Sequence, residues 1–281
     1  MKKILSITIT AIFFLVLCSG YSFALSAKSL FNGDPDSITY LEDSDVEWEV
    51  NQSGNTEGIL EEGDYLKGAF SIENIDGQGI GDATSYTGIS GTYEIKVLSK
   101  TDTGNNLQGF NLYSYEFGPT GSTGSVVSMW ENTDPITSFS GKSKTEIISR
   151  AETGNLLYEF GFTGNTDEYW MSPSIPDNIG SLDTLGVLPD TSIGTYEFEL
   201  GTITNNFLPL RELSDTYANG EGIDIRGSGD LFAPDDGEVY DAESNIRVRM
   251  NTVPEPTTLL LLGTGLLGLA GLSRKKFFKK S

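Results

Sequence analysis

The chain offers chemistry almost entirely through carboxylates. It holds 40 Asp and Glu, no histidine and a single cysteine, Cys18. Without histidine there is no imidazole proton shuttle at neutral pH, no Ser-His-Asp or Cys-His nucleophile, and no His-ligated zinc, copper or haem. Cys18 lies in an apolar N-terminal run, so a protein that has lost that run has no thiol, disulfide or thiolate metal site. What remains for catalysis is a carboxylate pair acting on a glycoside, or a Ser-Lys nucleophile. No spacing singles out either one, because among so many acids some pair falls at catalytic separation by chance. The sequence therefore reads as that of a non-enzyme. Clustered acids suit calcium (Ca2+), which loop oxygens bind without histidine or thiolate. The densest cluster is Asp230 to Asp241, with Asp235, Asp236, Glu238 and Asp241 as candidate ligands; Asp34 and Asp36 form a smaller one. Neither has EF-hand spacing, and acidic loops that only keep the protein soluble are the competing reading. Trp170, beside Met171 to Pro176, which reads as a loop, is the candidate for stacking on a sugar ring, against packing in the core or at its rim. Trp48 reads as core, and so do the apolar partners around it.

The elements that must position these groups are strands. Residues 28–252 carry 11 Lys/Arg against 39 Asp/Glu, a formal charge of −28 that excludes nucleic-acid binding. The same span keeps 24 aromatics, and its apolar residues alternate with period two, which argues for folding over disorder. Val46-Glu47-Trp48-Glu49-Val50, residues 93–97, 196–200 and 246–250 each place apolar side chains on one face and charges on the other. On this pattern Glu47, Glu49, Glu197 and Glu199 belong to solvated faces. Further strands are expected near 65–72, 109–117, 125–131, 144–150, 156–162 and 221–226, and one short helix from Pro209 to Gly220. Ten or more one-sided strands with no crossover helices imply an all-β fold, an antiparallel β-sandwich or jelly roll over residues 25–252. Two short words recur without a common period: Gly91 to Glu94 returns as Gly194 to Glu197, and Tyr115 to Gly118 returns as Tyr158 to Gly161.

The two ends are addresses. Lys2 and Lys3, the apolar run Ile4 to Leu17, and small residues at Ser22 and Ala24 have the build of a secretory signal peptide over 1–24, cleaved after Ala24. At the other end, residues 256–273 carry no charge and precede Arg274, Lys275, Lys276, Lys279 and Lys280. Eighteen helical residues span about 27 Å, enough for a transmembrane helix over 257–273 stopped by cytoplasmic cations. Just before it stands Pro254-Glu255-Pro256. A Pro-Glu-Pro triplet, a Leu/Gly-rich helix and a terminal basic cluster, in that order over 253–281, resemble the PEP-CTERM sorting signal of Gram-negative bacteria. That resemblance implies processing by an exosortase at a triplet formed here by Pro254, Glu255 and Pro256, and association with exopolysaccharide. The two prolines hold the backbone extended and without amide donors, a stiff segment open to an enzyme in the bilayer. The expected route is export across the inner membrane, a transient membrane anchor, then release to the cell surface or extracellular matrix. The expected role there is structural or adhesive. The alternative is a carbohydrate-binding sandwich module, calcium-dependent if the acidic loop holds the ion.

Overall fold

Alternating apolar and charged residues emerge as eleven strands among the described residues. The computed structural model describes Phe31 and residues 38–251, apart from 53, 57, 77, 80–87, 108, 120–123, 133–135, 137, 182–190, 211–212, 214–222 and 236–237. The signal segment 1–24 and the sorting region 253–281, with its span at 257–273, lie outside the described residues. The strands are β1 (Thr39–Val50), β2 (Tyr65–Ile75), β3 (Gln78–Gly79), β4 (Gly88–Leu107), β5 (Phe110–Gly118), β6 (Gly124–Asn132), β7 (Asn155–Phe162), β8 (Tyr169–Pro176), β9 (Ser192–Asn205), β10 (Ile225–Phe232) and β11 (Ala242–Met250). Every pairing between them is antiparallel.

The all-β antiparallel fold expected from the sequence is present, with the described strands hydrogen-bonded into one sheet. Following the hydrogen bonds from β1 through β2, β4, β5, β8, β9, β10 and β11 leads back to β1, a closed ring of eight strands. The sheet also forks at its two longest strands. β4 pairs with β6 through its first half and with β5 through its second, and β9 pairs with β8 and then with β7. Closure removes the exposed edges that make open sheets prone to aggregate. Eight strands enclose an interior that side chains can fill; here Ile89, Ile95, Tyr115 and Leu200 of the ring strands are completely buried, in one cluster with Tyr158 and Phe160 of β7.

Three of the four alternating segments face as the pattern predicts. Tyr93, Ile95 and Val97 point inward, as do Tyr196, Phe198 and Leu200, and Ile246 and Met250. In β1 the faces are reversed. Val46 and Trp48 pack outside the ring in a second apolar cluster with Ala69, Ile136, Phe139, Ile147, Ala151 and Tyr240, and Glu47 points into the interior with 0% exposure. The cause is the stretch expected as a strand at 144–150. It forms instead the helix α1 (Lys144–Ala151), which lays Ile147 and Ala151 over the outer face of the sheet. Ser143 caps α1 by accepting from the Glu146 amide at 3.2 Å, and Glu146 and Arg150 sit at the ends that suit the helix dipole. At the far end the Ser90 hydroxyl and the Asn132 amide donate to the last carbonyls, Ala151 O at 2.8 Å and Arg150 O at 2.7 Å.

Other expectations shift in the same way. The stretch Met171 to Pro176, expected as a loop, belongs to β8, and the strand expected at 221–226 runs from Ile225 to Phe232. Most of the expected helix from Pro209 to Gly220 lies outside the described residues; within it, Leu213 makes an extended bridge to Ile223.

Candidate functional site

Spacing of two along β1 puts Asp43, Asp45 and Glu47 in one row on the inner face, at 6%, 1% and 0% exposure. β11 lies beside them and supplies Ser244, whose hydroxyl bonds both the Asp45 and the Glu47 carboxyl. β9 supplies Tyr196, whose hydroxyl donates to Asp45 Oδ2 at 3.4 Å and lies 2.8 Å from Ser244 Oγ. Tyr93 of β4 faces Glu47 across a small cavity, and the Ile246 amide donates to Asp43 Oδ1 at 2.8 Å. The recurring word Gly-Thr-Tyr-Glu thus delivers both phenols to the same carboxyl row. The other recurring word also does one job twice. Tyr115 and Tyr158 are buried, their hydroxyls donate to loop carbonyls Leu60 O and Leu208 O, and the phenylalanine two residues on stacks against each.

Burial governs the electrostatics of the row. It pushes the Asp45 carboxyl up to about 7, against the opposing pull of hydrogen bonds from Ser244 and Tyr196. Asp43 and Glu47 are raised well above the usual carboxylate range, first by burial and then by the charge on Asp45. Burial beside these carboxylates also raises the Tyr93 and Tyr196 phenols. At neutral pH Asp45 is therefore near its midpoint. A cavity of about 10 Å³, room for roughly one water, lies against Glu47, Tyr93, Ser172 and Tyr196. Glu47 Oε2 meets no hydrogen-bond donor among the described residues.

On the outside, across β9, β10, β11 and β1, lies an open groove of about 670 Å³. Its floor is low because β10 contributes Ser228, Gly229 and Asp230 there, the first two with little or no side chain. Register lines up polar residues across the strands in rows: Glu197, Ser228, Arg247 and Glu42 in one, Thr195, Asp230 and Asn245 in the next. Arg247 donates to Glu42 Oε1 at 2.8 Å, and Arg249 lies 5.6 Å over the Tyr40 ring. Beneath Gly229 the groove reaches Tyr196 and Asp43. Carboxylates, amides and guanidinium forks on a shallow floor are groups that hydrogen-bond vicinal hydroxyls.

The residues singled out from sequence fall elsewhere. Trp170, in β8, is 4% exposed, with ring centroids 4.7 Å from Phe198, 5.6 Å from Tyr93 and 6.2 Å from Tyr196. It is core, and no sugar ring can reach its face. Glu238 accepts from Ser140 Oγ at 2.5 Å and the Gly141 amide at 3.1 Å, and Asp241 accepts from the Glu49 amide at 2.7 Å. These two carboxylates tie loops to the barrel. Asp235 is exposed, and Asp236 lies outside the described residues, as do Ala24, Pro254, Glu255 and Pro256. Among the described residues no three carboxylates are arranged to hold a metal ion. Of the glutamates expected in solvent, Glu197 is exposed, whereas Glu199 is buried and ion-paired with Arg226. The inner row was legible only in part. Asp43-x-Asp45-x-Glu47 has the right alternation, but its inward direction depends on α1 covering the opposite face.

The PEP-CTERM protein-sorting motif matches residues 252–275, immediately after β11. No curated protein and no solved structure matches the chain. The motif marks an exported protein that is anchored transiently in the membrane and processed by an exosortase. Among the described residues no helix is long and apolar enough to cross a membrane, and the apolar stretch 257–273 lies outside them.

Proposed function

We propose that this chain is a non-catalytic structural or adhesive component of the cell surface or extracellular matrix, associated with exopolysaccharide. The sorting motif at 252–275 carries this reading, because it hands the strongly acidic domain to an exosortase and separates it from its basic tail. Replacing Pro254 and Pro256 with alanine removes the stiff extended triplet and leaves the apolar stretch and its cations intact. The expected result is precursor accumulating in the inner membrane, with the wild-type product found outside the cell as a species ending near the triplet. Mass spectrometry of the external protein checks it. Recovery of Thr257 to Ser281 on that external protein, in a host with a working exosortase, would rule the reading out.

A second reading, binding of a polysaccharide, is favoured by the outer groove across β9, β10, β11 and β1. Ser228→Trp fills the groove from the solvent side of β10 without touching the core. It is expected to abolish retention of the protein on immobilised neutral or amino-sugar polysaccharide. Anionic polysaccharide, repelled by the acidic surface, should be retained only with calcium present and released by a chelator. Retention that survives Ser228→Trp would place any such binding elsewhere.

A further inference from the structure

The chain enters and leaves the barrel at one rim. Thr39, the first residue of β1, pairs with Met250, the last residue of β11. Pro254 follows Met250 by four residues, and the apolar stretch begins three residues later. At no more than about 3.5 Å per residue, the triplet lies within roughly 14 Å of that rim and the bilayer within roughly 25 Å. β11 itself is about 30 Å long at roughly 3.3 Å per residue. For the opposite rim to reach the bilayer, the tether would have to run back past the whole strand, and it is too short to do so.

The two rims also differ in chemistry. Near the exit point Ile38 and Tyr40 are each 39% exposed, Arg249 stacks over the Tyr40 ring, and Arg226 is the cross-strand neighbour of Arg249. Tyrosine and arginine are the side chains that settle at a membrane–water boundary, the ring among the headgroups and the guanidinium on phosphate. At the opposite rim the loop between β10 and β11 carries Asp235, Glu238 and Asp241, and the β1–β2 connection carries Glu61, Glu62 and Asp64. A bilayer containing anionic lipid repels the second rim, while at the first Arg249 can reach headgroup phosphate beside the carboxylates Asp76 and Asp224, which accept from the Tyr40 and Thr202 amides.

We infer that in the tethered precursor the barrel stands end-on against the phospholipid surface, with Ile38, Tyr40 and Arg249 in contact with headgroups and the β10–β11 loop turned away. This rests on the transient anchoring that the sorting motif implies, and it adds an orientation and a contact surface to it. The exosortase then meets its substrate with a folded rim, not a long free linker, beside the cleavage point.

The test uses the full chain with Cys18→Ser and one introduced cysteine carrying a fluorophore, either Tyr40→Cys or Val239→Cys. Val239, 42% exposed, lies on the loop at the opposite rim. The protein is reconstituted in phosphatidylethanolamine/phosphatidylglycerol vesicles doped with a headgroup-attached quencher. Quenching at position 40 is expected to exceed that at position 239 several-fold, and Arg249→Glu is expected to reduce the signal at 40 without changing that at 239. Ile38→Cys reports on the same rim should Tyr40→Cys disturb the stacking with Arg249. Protein that floats with the vesicles but quenches equally at both rims overturns the orientation and leaves the anchor standing. Protein that does not float with them overturns both.

Discussion

Raising the pH from 5 to 8 is expected to lower the unfolding midpoint of the exported domain, the reverse of ordinary acid denaturation. Asp43, Asp45 and Glu47 all have carboxyl pKa values above the usual range, because burial disfavours their charged forms, and for Asp43 and Glu47 repulsion from Asp45 adds to it. A group whose pKa is higher folded than unfolded keeps its proton preferentially in the native state. Its contribution to stability is therefore full below the unfolded value and is lost as pH climbs through the folded one, about 7 for Asp45. Each proton so held is worth about 1.4 kcal/mol per pH unit within that window. Across the row the loss amounts to several kcal/mol, a fall in midpoint on the order of 10 °C for a domain of this size. The net charge of the surface pushes the same way, but 0.5 M salt screens charges in solvent and leaves buried ones unscreened. Glu47→Gln and Asp45→Asn keep the shapes and remove the titration, so both should flatten the pH dependence in high salt, while Glu197→Gln on the outer face should not. A midpoint that rises with pH, or a slope that survives both core substitutions, would mean that the row does not control stability.

The reading of β1 explains what the sequence could and could not disclose. Alternation identified Val46 to Val50 as a strand, and the segments 93–97, 196–200 and 246–250 face as their patterns require. A period of two says that one face differs from the other, not which of them is inside. In β1 the choice is made by α1, and residues 144–150 were ambiguous because Ile147 and Ile148 fit a strand as well as a helix turn. The start signal Ser143-x-x-Glu146 was present and decides for a helix. The cap and the direction of β1 are therefore linked, since α1 joins Ile136, Phe139 and Tyr240 in covering Trp48. Ring closure was beyond reach for a different reason. It depends on the second half of β4 pairing with β5 and on the contacts of β8 with both β5 and β9, which are matters of long-range register and leave no local trace. The repeated words do bear on the site. Gly-Thr-Tyr-Glu carries no period, yet both copies bring a tyrosine to the buried row, which only the folded arrangement makes visible.

The rings of Tyr93, Tyr196, Phe70 and Phe198 explain the glycines opposite them, and adding a methyl group at these glycines is expected to destabilise the barrel strongly. Directly across the strands, Gly68 faces Tyr93 and Gly91 faces Phe70 on β2 and β4, while Gly227 faces Phe198 and Gly229 faces Tyr196 on β9 and β10. Ring atoms of the facing aromatic occupy the space that a side chain at each glycine would take. A Cβ at Gly227 would stand 2.2 Å from Phe198 Cζ, and one at Gly91 would stand 2.1 Å from Phe70 Cζ and 2.3 Å from the Ser128 carbonyl oxygen. Overpacking of this kind costs about 1–3 kcal/mol where side chains can give way. Gly227→Ala should fall in that range, because only ring atoms oppose the methyl group. Gly91→Ala should exceed it, because backbone of β6 cannot move without breaking its pairing with β4. The two should also respond differently to a second substitution. Shrinking the ring with Phe198→Leu should recover part of the loss in Gly227→Ala, giving a clear non-additivity, whereas Phe70→Leu should recover little in Gly91→Ala while Ser128 O still blocks the site. Ser228→Ala, on the outer face of the same strand, should stay within about 0.5 kcal/mol of wild type. Denaturant unfolding of these single and double variants measures all of this; a Gly227→Ala protein as stable as wild type, or strict additivity with Phe198→Leu, would show that the rings do not depend on the glycines beneath them.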